Sequence, residues 1–108
     1  MIKINICKEF TDTPGARYIA EGPFSGEEFR EKLLIPRYEK AKSEGEKLQI
    51  DLDGSFGYPT SFLEEAFGGL SRIYGAKEVL DIVRFISDDE PAIINDIESY
   101  IKQANEGK

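Results

Sequence analysis

Apolar and polar residues alternate in two stretches of the chain. Ile2, Ile4 and Ile6 are interleaved with Lys3, Asn5 and Cys7, and Leu48, Ile50 and Leu52 with Gln49, Asp51 and Asp53. A period of two lines one face of an extended strand, so each stretch predicts a strand with one buried face. Elsewhere the apolar spacing is three and four residues. Phe29, Leu33, Leu34 and Tyr38 mark one helix, Phe62, Ala66, Phe67, Leu70 and Ile73 a second, and Ile93, Ile94, Ile97, Ile101 and Ala104 a third. These rows predict helices over 26–43, 61–74 and 90–104.

Punctuating residues refine this outline. Ser25-Gly-Glu-Glu28 and Ser61-Phe-Leu-Glu64 have capping-box form, which predicts Ser25 and Ser61 as N-caps. Pro36 lacks the N–H that a helix interior needs and predicts a kink or broken turn. Gly68-Gly69 predicts close backbone packing or a hinge, because each glycine costs a helix about 1 kcal/mol relative to alanine. Ala16–Ala20, between turns rich in Pro and Gly, reads as a short strand, Gly54–Pro59 as a loop and Val79–Ser87 as a further strand. The tail Asn105–Lys108 is expected to fray. Ile50, Leu52, Phe62, Phe67, Leu70, Ile82 or Val83, Ile97 and Ile101 are expected in the core. Strands separated by helices imply crossover connections. The expectation is one α/β domain over 1–108, with a four-stranded mixed sheet and helices mainly on one face.

Charge narrows the function classes. The 108 residues include 14 basic and 21 acidic ones, a net charge of −7, and no histidine. Mechanisms built on an imidazole base, a histidine ligand or a histidine switch are excluded. The basic residues are scattered singly among acids, which argues against phosphate backbones and anionic bilayers alike. A single cysteine, Cys7, forms no internal disulfide and no Cys-rich zinc site; it is read as a small residue at a strand end. The N-terminus is too short and polar for a signal peptide, and a cytoplasmic protein is expected.

Three constellations offer chemistry. Thr60 and Ser61 place a hydroxyl pair at a helix start, a candidate phosphoacceptor or anion site, with Ser61 also read as the cap. Asp51, Asp53, Glu64, Glu65, Asp88 and Asp89 are carboxylates for a metal or an acid/base pair, or else a solvated face and helix N-terminal acids. Arg17 and Arg30 are candidate anion contacts, or partners of nearby glutamates. No Gly-rich phosphate loop, EF-hand or nucleophile elbow is present, so neither catalysis nor a cofactor is expected. Two alternatives stay open. One is small-ligand or nucleotide binding, with Arg17 and Arg30 converging on the helix start at Ser61. The other is a metal-assisted phosphohydrolase using Asp51, Asp53 and Glu65.

The stretch LQIDLDGSFGYPTSFLEEAFGGL, Leu48–Leu70, resembles the STAS-like family of unknown function known as DUF-4325, and GARYIAEGPFSGEEFR upstream extends the likeness over about residues 13–105. That family is similar in turn to anti-sigma-factor antagonist STAS domains, small α/β modules with a mixed sheet. In those relatives a serine at a helix start is phosphorylated by a partner kinase. The corresponding position falls on Pro59, Thr60, Ser61 and Phe62, with Pro and Phe standing where the relatives have Asp and Gly. The resemblance implies a regulatory protein-interaction module that meets a protein partner of histidine-kinase-like ATPase type, while the charge balance argues against nucleic acid and membrane. The contact surface is expected over Gly57–Glu65, the loop and first helical turn, at Tyr58, Thr60, Ser61, Glu64 and Glu65, with the loop aromatics Phe56 and Tyr58 as anchors.

Overall fold

The structure, a computed structural model, describes residues 1–105; of the tail expected to fray, 106–108 lie outside the described residues. The sheet consists of β1 (Ile2–Asn5), β2 (Leu48–Asp51) and β3 (Val83–Ile86), in spatial order β1-β2-β3. Both pairings are parallel, with Ile4 beside Ile50 and Ile50 beside Phe85. The helices are α1 (Ile6–Glu9), α2 (26–44), α3 (60–74), α4 (Ala76–Ile82) and α5 (Ala92–Gln103).

The expected four-stranded mixed sheet is therefore a three-stranded parallel one. The missing strand is Ala16–Ala20, which holds no sheet pairing and ends in a 3-10 turn, Ile19–Glu21. Its carbonyls serve a helix instead. Ala16 and Arg17 accept the amides of Gly26 and Glu27 at 2.9 and 3.0 Å, covering the unpaired N–H groups at the start of α2. The expected strand Val79–Ser87 also shortens. Val79–Ile82 belongs to α4, because an apolar run this short fits a buried helix turn as well as a strand. Cys7 correspondingly sits in α1, two residues beyond the end of β1.

Alternation is borne out in the sheet. Ile4, Leu48, Ile50 and Val83 are buried, while Lys3, Gln49 and Arg84, which lie side by side in the register, remain exposed or half-buried. Every residue expected in the core is buried. Phe29 links this core across helices, its ring centroid 5.9 Å from Phe62 and 6.1 Å from Phe67. Ile73 departs from expectation. It is 57% exposed, because a π-helical turn at Glu64–Gly68 shifts the residues after it around the axis of α3.

A second π turn, Arg30–Leu34, lies just before Pro36 in α2. The proline cannot donate to the carbonyl four residues back, and the widened turn upstream absorbs the misfit without ending the helix. The two helices touch where Gly26 meets Phe62, so closely that a Cβ on Gly26 would lie 2.4 Å from the Phe62 carbonyl oxygen.

Of the two expected caps, one forms. Ser25 Oγ accepts the Glu28 amide at 3.0 Å, and Glu28 reaches back to the Phe24 amide. α3 instead begins at Thr60 with Pro59 in the cap position, so Ser61 is the second helical residue and caps nothing. Pro59, extended at ψ 141°, takes the cap position two residues earlier than the serine motif suggests. Ser25→Ala is accordingly expected to cost about 1 kcal/mol in chemical denaturation. Ser61→Ala should stay within about 0.5 kcal/mol of wild type. Equal costs for the two would contradict this assignment.

Candidate functional site

All three strands are parallel, so their carboxyl ends open on the same edge of the sheet, where open α/β sheets place ligand sites. The loop after the central strand, 52–59, lies there between the segments that follow β1 and β3. It is tied to both. The Phe56 amide donates to the Asp12 carbonyl at 2.8 Å, and the Gly54 amide to Asp89 Oδ2 at 3.0 Å. The Asp89 amide returns a bond to Asp53 Oδ1 at 2.9 Å. Asp51 Oδ1 in turn accepts the Asp53 amide at 2.9 Å. The Cys7 thiol meets the Gly54 carbonyl at 3.4 Å.

Tyr58 anchors the loop from within. Its hydroxyl donates to the Leu52 carbonyl at 2.9 Å and lies 3.0 Å from Ser55 Oγ. Burial pushes its phenol up to about 12, despite the opposing bond to Ser55. The two loop aromatics therefore divide their roles. Tyr58 is half-buried against the core, whereas Phe56 is 84% exposed. Thr60 is exposed and Ser61 half-buried at the start of α3.

One helical turn further along, the other singled-out residues converge. Arg17 pairs with Glu64 and lies 3.3 Å from Glu65, while Arg30 pairs with Glu65 at 2.7 Å. Arg72 joins them, 2.8 Å from Glu64. The cluster thus holds three guanidinium groups against two carboxylates, half-buried between α2, α3 and the 11–24 loop. The hydrogen bond from Arg72 holds the Glu64 carboxyl below the usual carboxylate range; Arg17 adds to this and burial opposes it. The paired glycines make the room. A Cβ on Gly69 would lie 2.4 Å from an Arg30 nitrogen, and one on Gly68 would lie 2.5 Å from Glu64 Oε2. Close packing, rather than a hinge, is what Gly68-Gly69 provides.

Arg17 and Arg30 therefore face Glu64 and Glu65, not the helix start at Ser61. Asp51 bonds the Asp53 amide and Asp53 the amide of Asp89, and Glu65 bonds arginines, so the three carboxylates of the phosphohydrolase alternative form no single cluster. Among the described residues no group of three or more metal-ligating side chains stands together. Arg72 escaped the reading of the sequence. Its signal is the spacing Glu64, Gly68, Arg72: one helix face with a glycine between the charges, across which a long arginine reaches back to the glutamate.

Among the described residues no helix is long and apolar enough to cross a membrane. No curated protein matches the sequence, and no solved structure matches the chain. The family described as a STAS-like domain of unknown function, DUF4325, has a sequence model that matches residues 25–92, from the cap of α2 to the start of α5 and through the whole Arg–Glu cluster except Arg17, and the chain belongs to that family.

Proposed function

We propose that the domain is a regulatory protein-interaction module whose contact surface centres on the 52–59 loop and the first turn of α3. The observation that carries this reading is Phe56, a large aromatic with 84% of its surface in water on a loop pinned at both sides by backbone hydrogen bonds. An exposed ring on a fixed support offers a partner much apolar area at little ordering cost. Thr60 and Ser61 follow this loop at the start of α3, and a phosphate on either would add negative charge in the same helical segment as Glu64 and Glu65. The module acts by binding rather than catalysis, in the cytoplasm, and a histidine-kinase-like ATPase is the partner class the STAS likeness suggests.

Affinity capture from the native cell, followed by mass spectrometry, supplies the partner for the test. Thr60→Glu should then shift its binding about tenfold or more, weaker for an acidic or apolar partner face and tighter for a basic one, equivalent to about 1.4 kcal/mol. Thermal stability should hold, since the Thr60 side chain is exposed and acidic residues suit a helix N-terminus. Tyr58→Ala should weaken binding, by releasing the loop from the Leu52 carbonyl. Wild-type affinity in both variants places the interaction surface elsewhere.

A further inference from the structure

The residues around Phe56 say something about what the ring would meet. Asp12, whose carbonyl holds the Phe56 amide, is exposed. Asp53 and Asp89 exchange bonds with each other's loops, and Asp88 and Glu90 flank Asp89 with exposed side chains. Among the described residues none of these five carboxylates takes part in an ion pair. By contrast Glu9, Glu28, Glu64, Glu65 and Glu78 are each paired with a basic side chain. The carboxyl-end edge of the sheet therefore combines an exposed aromatic with unpaired negative charge contributed by the segments after all three strands.

We propose that these three loops form the docking surface for a basic segment of a partner protein, one that carries Lys or Arg together with at least one bulky apolar side chain. The proposal rests on the protein-interaction reading above and specifies the chemistry of the partner. Phe56 supplies the apolar anchor, and its ring face attracts a guanidinium or ammonium group. The surrounding carboxylates pair with further cations at the rim, where they favour encounter and reject acidic competitors. The amides of Gly54 and Asp89 each bond one oxygen of the accepting carboxylate, and among the described residues the other oxygen takes no hydrogen bond. The same charge disfavours nucleic acid and anionic lipid, which leaves a polypeptide as the occupant.

A phage-displayed library of short random peptides panned against the full chain tests this without presupposing a partner. Enriched sequences should be rich in Lys or Arg and carry a bulky apolar residue. Synthetic versions, followed by fluorescence anisotropy, should bind Phe56→Ala at least about tenfold more weakly than wild type. They should also lose affinity for the double variant Asp12→Asn, Asp88→Asn, whose remaining binding should fall less steeply with added salt than that of the wild type. All of these side chains are exposed and neither aspartate side chain holds a bond, so both variants should keep the wild-type melting temperature. Enrichment of neutral or acidic peptides overturns the proposal, as does equal binding to wild type and Phe56→Ala, or no enrichment at all. If basic peptides fail while Phe56→Ala still weakens the captured partner, the interaction module stands and only the basic chemistry of its partner falls.

Discussion

Gly26→Ala is expected to destabilise the domain by about 2–3 kcal/mol, although alanine is the better helix former. The position is buried at the first turn of α2, and a Cβ there would lie 2.4 Å from the Phe62 carbonyl oxygen and 3.1 Å from its carbonyl carbon. Those atoms are backbone in the middle of the first turn of α3, so no side-chain rotation relieves the clash. The helices must separate, and the rings of Phe29 and Phe62 would lose their packing. Propensity returns at most about 1 kcal/mol, so sterics decide the sign. Thermal unfolding should show a fall of about 10 °C or more. A variant as stable as wild type would mean that α2 and α3 do not approach this closely.

That contact also shows where the sequence stops being legible. Strands β1 and β2 are readable because a period of two survives in any environment that buries one face. The rows of α2, α3 and α5 are readable for the same reason at period 3.6. Segments whose partners are distant are not. Ala16–Ala20 has the composition of a strand, yet its carbonyls are claimed by the first amides of α2, a pairing that no local pattern encodes. Ser25 and Ser61 share one motif, but only the first has a loop arriving in the right direction. There Phe24 adopts φ +60°, a left-handed conformation held by Glu28 on its amide and by Gly15 on its carbonyl.

The candidate site divides along the same line. Arg17, Arg30, Glu64 and Glu65 are individually visible as charged residues in apolar stretches, while their mutual pairing spans more than thirty residues of chain and depends on how α2 crosses α3. The glycine pair is the one local trace of it: two positions in a helix give up propensity so that guanidinium groups can lie against the backbone. Both π turns begin or end at this cluster, at Arg30 and at Glu64–Gly68. Irregular helix geometry and charge burial thus occur together, as they do where a fold gives up regularity to place particular side chains. At the sheet edge the situation is reversed. Phe56 needs no distant partner to be noticed, but its exposure could not be told from that of Tyr58 until the Tyr58 hydroxyl was seen bonded to the Leu52 carbonyl.

Glu65→Ala should be the most damaging change of a charged residue, at about 3 kcal/mol. Glu65 is 8% exposed and is the carboxylate partner of Arg30, whose side chain is itself 13% exposed. Removing it leaves a guanidinium in a half-closed site with only a backbone carbonyl to bond, and desolvation is then no longer repaid by an opposite charge. Glu64, with 26% of its side chain exposed and two arginines at its rim, should cost about 1 kcal/mol as Glu64→Ala, since solvent screens the charge it leaves behind. The acid limb of stability distinguishes the two effects. The Glu64 carboxyl is lowered from its ordinary 4.5, first by Arg72 and then by Arg17, and Glu9 is lowered by Arg37. A depressed carboxyl contributes stability that is complete above 4.5 and disappears as the pH falls through its folded value. Urea midpoints of the wild type should therefore be level from neutral pH down to about 5 and drop below 4.5, with Glu64→Gln showing a shallower drop. On the alkaline side Tyr58 and Tyr74, both raised from 10.0 to about 12 by burial, should erode stability as the pH climbs past 10. An unchanged acid slope in Glu64→Gln, or a Glu65→Ala variant as stable as Glu64→Ala, would show that the three arginines do not depend on these carboxylates for their place between the helices.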